Sequence, residues 1–414
     1  MENPSNSSPL TLSFFDDVVR SGAGYAVTCR LQPNGEEPGG FVSPPTYAKS
    51  GIPYNQYQRQ EGAETVLCVC LNSIGAEANA MEHALQEARE AGDVALPLPQ
   101  IVFDPGVEKL EKLTTSQMGH RSCDARLLYS EIDGVPYRES EVGTAILESS
   151  HSNMTGVSRY APLDVLFGMW DSHDHTVSRR VRPALKLARL ITAEIHGIGI
   201  SIRDSGAQLS DVADFASDLP LIKGYGDDLF AELSVKEGKN EAATAGFAQT
   251  PAYEENRGGV SMRHGLYESN FSAGLLRGYK FPTDDGQRVP GRDHAARVLF
   301  LSLGLLVQTI RLERGFYLRS GCDLVAEDDP KFIFYGRSMK SVLFEGPVSA
   351  SSALALFEQA LQKAKEQGFE WGGETISVLA SKNFQKRLRA NLEYTSDKAE
   401  KKTTKKKAVK KGNG

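Results

Sequence analysis

The most apolar run in the chain, Val298 to Ile310, is bracketed by Arg297 and Arg311. It falls short of the ~20 residues that a bilayer-crossing helix needs. It reads instead as a core helix within Asp293–Glu313, and a buried helix requires other layers packed around it. The sequence offers strands for that purpose. Tyr25 to Leu31 alternates apolar and polar residues and is entered through Gly24. Glu64 to Leu71 has an all-apolar middle, the mark of a strand covered on both faces. Asn72-Ser73 then caps a helix running from Ala76 to Arg89 and stopping at Gly92.

The remaining elements follow the same reading. Residues 11 to 20 form an amphipathic lead-in, Leu96 to Asp104 a Pro-led strand, and Leu113-Thr-Thr-Ser116 starts a helix carrying His120, Arg121 and Arg126. Val142 to Leu147 is a short element, and Gly258 to Arg263 a strand. Asn270 to Tyr279 looks helical, Pro282 to Gly291 is a loop, and Phe316 to Val325 is a closing strand. Two helices are expected near the end, Ser351 to Gln367 and Ser381 to Leu392. Strands and helices alternate without a Gly-rich nucleotide-binding loop, so the fold class is α+β.

The stretch from Leu163 to Ile200 holds the candidate working surface. Val165 to Trp170 is short and β-prone and reads as a buried strand ending at Asp171-Ser172. Beyond a polar loop, Arg179, Arg180, Arg182, Lys186 and Arg189 follow with no acid before Glu194. Leu185, Leu187-Ala188, Leu190-Ile191 and Ile195 supply an apolar stripe near helical spacing, which turns the positive charge outward. A charged helix face is in general only a solvated face. Guanidinium groups nevertheless suit phosphate, because the planar fork bonds two oxygens at once.

Charge distribution narrows the partner. The net charge is -6, but residues 397 to 414 hold eight Lys against one Asp and one Glu, leaving -12 on the body. An acidic body disfavours indiscriminate nucleic-acid binding, so a polyanion site must be local. Five scattered cysteines fit a reducing cytoplasm better than a disulfide framework, and the N-terminal residues lack the pattern of a secretion signal. Asp171, His173, Asp174 and His175 are candidates for a metal-dependent ribonuclease, although no helical HExxH or second ligand set accompanies them. Trp170 and Tyr160 read as packing residues. A further alternative is a structural protein that binds nucleic acid through its Lys-rich tail.

Several motifs occur in a telling order. They are Phe41-Val-Ser-Pro-Pro-Thr-Tyr-Ala48, Leu71-Asn-Ser-Ile-Gly-Ala-Glu-Ala-Asn-Ala-Met-Glu82, Leu96 to Asp104, Leu113-Thr-Thr-Ser116 with His120-Arg121, and Asp133 to Ser140. Leu166-Phe-Gly-Met-Trp-Asp-Ser172, Arg182 to Gly197, Gly258-Gly-Val260 and Leu318 to Leu324 continue the series. Together they resemble the backbone RAMP subunit of type I-G CRISPR effector complexes, formerly type I-U, from about Gly24 to Val325. The chain departs from that pattern at Glu77, where Gln is expected, and in the loop at 172–175.

The resemblance implies an RRM-like (ferredoxin-like) RAMP palm within residues 1–345, with finger and thumb candidates in the insertions near 32–60 and 236–265. A helical C-terminal extension at 346–394 and a disordered Lys-rich tail at 395–414 would follow. It implies copies stacked head to tail along a CRISPR RNA, target DNA reached through the guide, other effector subunits and a recruited helicase-nuclease as partners. No membrane, no cofactor and no catalytic role for this subunit are expected. Under this reading the RNA contacts are Arg179, Arg180, Arg182, Lys186 and Arg189, with Ser73, Asn79, His120, Arg121 and Tyr47.

Overall fold

The computed structural model describes residues 10–35, 39–47, 51–94, 98–171, 186–205, 255–371 and 374–394. The chain begins with helix α1 (Leu12–Ser21) and strands β1 (Gly24–Pro33), β2 (Phe41–Val42), β3 (Gln56–Glu61) and β4 (Glu64–Asn72), then helix α2 (Ile74–Glu90). A long excursion follows: β5 (Gln100–Asp104), β6 (Leu113–Thr114), α3 (Ala125–Leu128), β7 (Ser130–Ile132), β8 (Val135–Pro136), α4 (Glu141–Leu147), α5 (Thr155–Tyr160), α6 (Pro162–Phe167), β9 (Met169–Trp170) and β10 (Lys186–Leu187). Next come β11 (Ile191–Ile198), β12 (Ser201–Ile202), β13 (Val260–Ser261), β14 (His264–Ser272), α7 (Ala273–Gly278) and α8 (Pro290–Glu313). Hairpins β15 (Phe316–Arg319)/β16 (Cys322–Ala326) and β17 (Lys331–Tyr335)/β18 (Val342–Gly346) precede α9 (Ala350–Glu366), β19 (Thr375–Ala380) and a helix at 382–394.

The main sheet runs β15-β16-β1-β14-β11-β4-β3, with β17 also on β1. Within it, β1, α2, β11, β14, α8 and β16 form a β-α-β-β-α-β unit whose strands lie in the spatial order fourth, first, third, second. Every neighbouring pair of those strands is antiparallel. That is the ferredoxin-like arrangement, so the expected RAMP palm is present. The fourth strand is split: β16 covers Leu31 to Pro33 and β17 covers Gly24 to Thr28, with an acidic bulge at Glu327-Asp328-Asp329 between them.

One face of the sheet buries the core. Tyr25, Val27, Leu31, Ile191, Ile195, Tyr267 and Phe271 point toward α2 and α8, whose residues from Ala295 to Ile310 are almost wholly buried. By length and composition α8 is able to cross a membrane, yet 89% of its apolar window is buried in this fold. It is a core helix. The opposite face of β1, β11 and β14 carries Thr28, Arg30, Thr192, Glu194, His196, Glu268 and Asn270 and no outward Phe, Tyr or Trp. It therefore lacks the paired rings on which RRM sheets stack bases.

A second sheet, β6-β5-β19-β7-β8, holds the excursion between α2 and β11. Its central strand β19 comes from the C-terminal region and runs parallel to β5. The segment expected as a helical extension thus also supplies a strand, while α9 packs on α8. Within 32–60, β3 joins the main sheet beside β4, and most of 236–265 lies outside the described residues.

Several local expectations are corrected. Val165–Phe167 belongs to α6, not to a strand, because Pro162 sits at the first turn and Gly168, with φ 74°, ends the helix. Only Met169-Trp170 is extended. The apolar residues after Lys186 are strands β10 and β11, not a helix: Ile191, Ala193 and Ile195 are buried at period two. Leu113 to Leu128 is a strand end, two 3-10 turns and α3, broken where Arg121 adopts φ 48°. Asn270 to Ser272 completes β14 before α7 begins, and Gly321 (φ 73°) folds Phe316 to Val325 into a hairpin.

Helix α8 approaches the sheet closely at Gly304, where an added Cβ would lie 2.7 Å from the Phe271 ring and 3.2 Å from Ile191. Alanine at a helical Gly gains about 1 kcal/mol of propensity, whereas overpacking a filled core costs about 1–3 kcal/mol. Gly304→Ala is therefore expected to lower the urea unfolding midpoint. A raised midpoint would show that the contact relaxes freely.

Candidate nucleic-acid interface

Helix α2 is the element on which the site is built. Ser73 caps it, its hydroxyl accepting from the Ala76 N–H at 3.4 Å, and the Ala-rich sequence leaves one side of the helix low. Two carboxylates, Glu77 and Glu82, lie five residues apart on α2, roughly 140° around the helix. Each is buried. Each receives an arginine from a different part of the chain.

Glu77 accepts from Arg311 of α8 at 3.1 Å and from the Asn72 amide at 2.6 Å. On the same flank an open groove of about 500 Å³ is lined by Asn72, Asn79, His83, Arg314 and Tyr317, floored by Ala76, Ala80 and Ala84. Asn79 and His83 are exposed one helical turn apart, Tyr317 is 69% exposed, and Arg314 pairs with Glu87 at the far end. Arg319 ties neighbouring motifs together: it donates to the Leu71 carbonyl at 2.8 Å and to that of Ser43 at 3.4 Å. The Ser43 N–H in turn donates to the Gly321 carbonyl at 2.7 Å. Val42 pairs with Val260, the Gly259 N–H reaches the Tyr54 hydroxyl at 2.9 Å, and Arg203 lies over the Phe41 ring at 4.4 Å. Three motifs far apart in sequence thus meet beside the head of α2. The groove presents amide, imidazole and guanidinium donors next to an exposed ring, a set suited to phosphate, ribose hydroxyls and a base face.

On the other flank, Glu82 takes both forks of Arg121, at 2.9 and 2.8 Å, and Arg121 also donates to the Gly168 carbonyl at 3.2 Å. Burial pushes the Glu82 carboxyl up, and the guanidinium beside it holds it partly back. Asp164, fully buried next to them, accepts from the Ser122 N–H at 3.1 Å. Desolvation drives its pKa up to about 7 against the pull of Arg121 and Ser122. Tyr137 closes the knot by donating to the Ser122 carbonyl at 3.1 Å.

The structure separates the ten expected contacts. Ser73 caps α2, and Asn79 lies on it within the groove. Tyr47 is 47% exposed, with its N–H on the Pro53 carbonyl. His120 is exposed. Lys186 is exposed on β10, its ammonium 5.8 Å from the Trp170 ring centroid. Arg121 is a correction: it is buried, and its guanidinium donates to Glu82 and to the Gly168 carbonyl. Arg189 is another, since it is half-buried and donates to the Phe167 carbonyl at 3.0 Å. Trp170 is a third, being 51% exposed rather than packed. Arg179, Arg180 and Arg182, together with His173, Asp174 and His175, lie outside the described residues. Among the described residues no group of three or more His, Cys, Asp or Glu is placed to hold a metal ion.

Residues 26–202 match the family model of CRISPR-associated protein GSU0053 (Cas_GSU0053). Over this stretch the chain is similar to RAMP-type CRISPR-associated proteins. No curated protein matches it. The matched stretch contains most of β1, with α2, the Arg121 knot and β11. The motifs at Gly258–Val260 and Leu318–Leu324 lie beyond it, yet the structure brings both against motifs inside it.

Two outcomes follow from the buried knot. Removing one partner of a buried pair costs about 3–5 kcal/mol, so Arg121→Ala and Glu82→Ala should each destabilise strongly in urea unfolding. The double variant should cost much less than their sum, and additive losses would contradict the pairing. Asp164 binds its proton more tightly folded than unfolded, so its contribution to stability is complete below about pH 4. That contribution is lost as pH rises to about 7. Asp164→Asn should therefore narrow the stability difference between pH 5 and pH 8, and an unchanged difference would show that Asp164 is ionised throughout.

Proposed function

We propose that this protein is a non-catalytic, guide-RNA-binding backbone subunit of a type I-G CRISPR effector complex. Copies stacked head to tail would neutralise the ribose-phosphate chain and leave the bases free to pair with target DNA, which delegates sequence reading to the RNA. A contact that repeats without closing gives a filament, the form a long RNA needs. Cleavage would belong to a recruited helicase-nuclease, and the assembly would work in the cytoplasm.

The observation that carries this reading is the groove on α2 of a ferredoxin-like palm in a chain similar to CRISPR-associated proteins. Its donors suit phosphate and ribose oxygens, and the absence of outward Phe, Tyr or Trp on β1, β11 and β14 disfavours RRM-style base recognition. The basic run at 179–189 adds local positive charge to an otherwise acidic body. The rival is a metal-dependent ribonuclease acting through Asp171, His173, Asp174 or His175.

Neutralising Arg179, Arg180 and Arg182 is expected to weaken binding to single-stranded RNA of any sequence. The slope of log affinity against log salt should flatten by about 0.7 for each phosphate that is no longer neutralised. Unchanged affinity and slope would remove these residues from the interface. Regular cleavage of guide-paired target RNA in divalent metal would favour the ribonuclease.

A further inference from the structure

The two-residue ribbon of β9 and β10 is braced at its base by several contacts, and it points an aromatic and a cationic side chain outward. Trp170 and Lys186 are directly opposite across the ribbon, as are Met169 and Leu187. The second pair is buried, 5% and 4% exposed, so the pleat turns the first pair to solvent. Gly168 allows the close approach: with φ 74°, a Cβ there would stand 2.6 Å from the Leu187 carbonyl oxygen. Arg121 holds the Gly168 carbonyl and Arg189 holds that of Phe167. The Leu190 N–H adds a bond to the Leu166 carbonyl at 2.8 Å. Two of the five arginines that the sequence suggested as RNA contacts thus brace the base of this ribbon.

A half-exposed indole fixed in this way, with an ammonium 5.8 Å from its centroid, loses little freedom when a flat partner settles on it. We propose that Trp170 is a base-stacking platform for single-stranded RNA, with Lys186 supplying the positive charge for an adjoining phosphate. This rests on the reading of the protein as RNA-binding and assigns it a contact outside the α2 groove. A nucleic acid fits better than an apolar protein surface because docking the latter would strip water from Lys186 without a counter-charge. The chain between the two strands also carries Arg179, Arg180 and Arg182. Stacking on an aromatic side chain is tolerant of base identity, as a guide of arbitrary sequence requires.

The test uses the full chain in a Trp371→Phe background, which removes the second, buried indole. Titration with a mixed-sequence single-stranded RNA should quench Trp170 emission. Trp170→Ala should bind that RNA roughly 5- to 150-fold more weakly, the range for removal of one stacked base, and Trp170→Phe should recover most of the affinity. An abasic strand of equal length should bind the parent and Trp170→Ala alike. Equal binding of the base-containing RNA by Trp170→Ala, or absence of quenching, would overturn the platform while leaving the RNA-binding reading in place. Unchanged RNA affinity with impaired self-association would assign Trp170 to a protein interface and also overturn it. Failure of the parent chain to bind RNA would overturn the functional reading and the platform with it.

Discussion

The architecture depends on two buried carboxylate–guanidinium pairs on one helix. Glu77 with Arg311 fixes α2 to the core helix α8. Glu82 with Arg121 fixes α2 to the excursion that precedes β11. Taking such charges out of water is costly, and the cost is offset only where geometry and additional hydrogen bonds are good. Both forks of Arg121 reach Glu82, and Asn72 shares the Glu77 oxygen with Arg311. The pairs therefore act more as positional pins than as sources of net stability. They determine which side of α2 remains open.

That pinning organises the surface. The groove on the Glu77 flank and the Trp170 ribbon on the Glu82 flank are both positioned by contacts to the same helix. The C-terminal region reinforces the arrangement from outside: β19 completes the sheet that holds the excursion, and α9 covers α8. Arg319, Ser43 and Gly321 bind the motif-bearing loops to the palm in a similar way, through carbonyl contacts that do not depend on side-chain identity at Leu71 or Ser43.

Much of the local structure was legible in the residues. The Ser73 cap, the core helix around Val298 to Ile310 and strand β1 each follow from a period or a capping rule. The order of strands was not legible from spacing, because β1 pairs with residues more than 200 positions away; the fold came from the resemblance. A six-residue apolar run such as Val165 to Trp170 fits helix and strand equally well, and the terminating role of Gly168 is a matter of φ. Arg121 shows a deeper limit. A guanidinium bound to a buried carboxylate and one bound to phosphate look identical in sequence, and only Glu82, an acid within an Ala-rich helix, hinted at the difference. Arg314 and Tyr317 went unmarked for another reason: they flank a helix end whose partner helix lies far away in the chain.

The central claim is that the protein holds a guide RNA along its phosphate backbone. Sequencing the RNA that co-purifies with the full-length chain tests it most directly. Repeat-derived guides of uniform length are expected. Heterogeneous cellular RNA, or protein free of nucleic acid when expressed beside its repeat array, would contradict it.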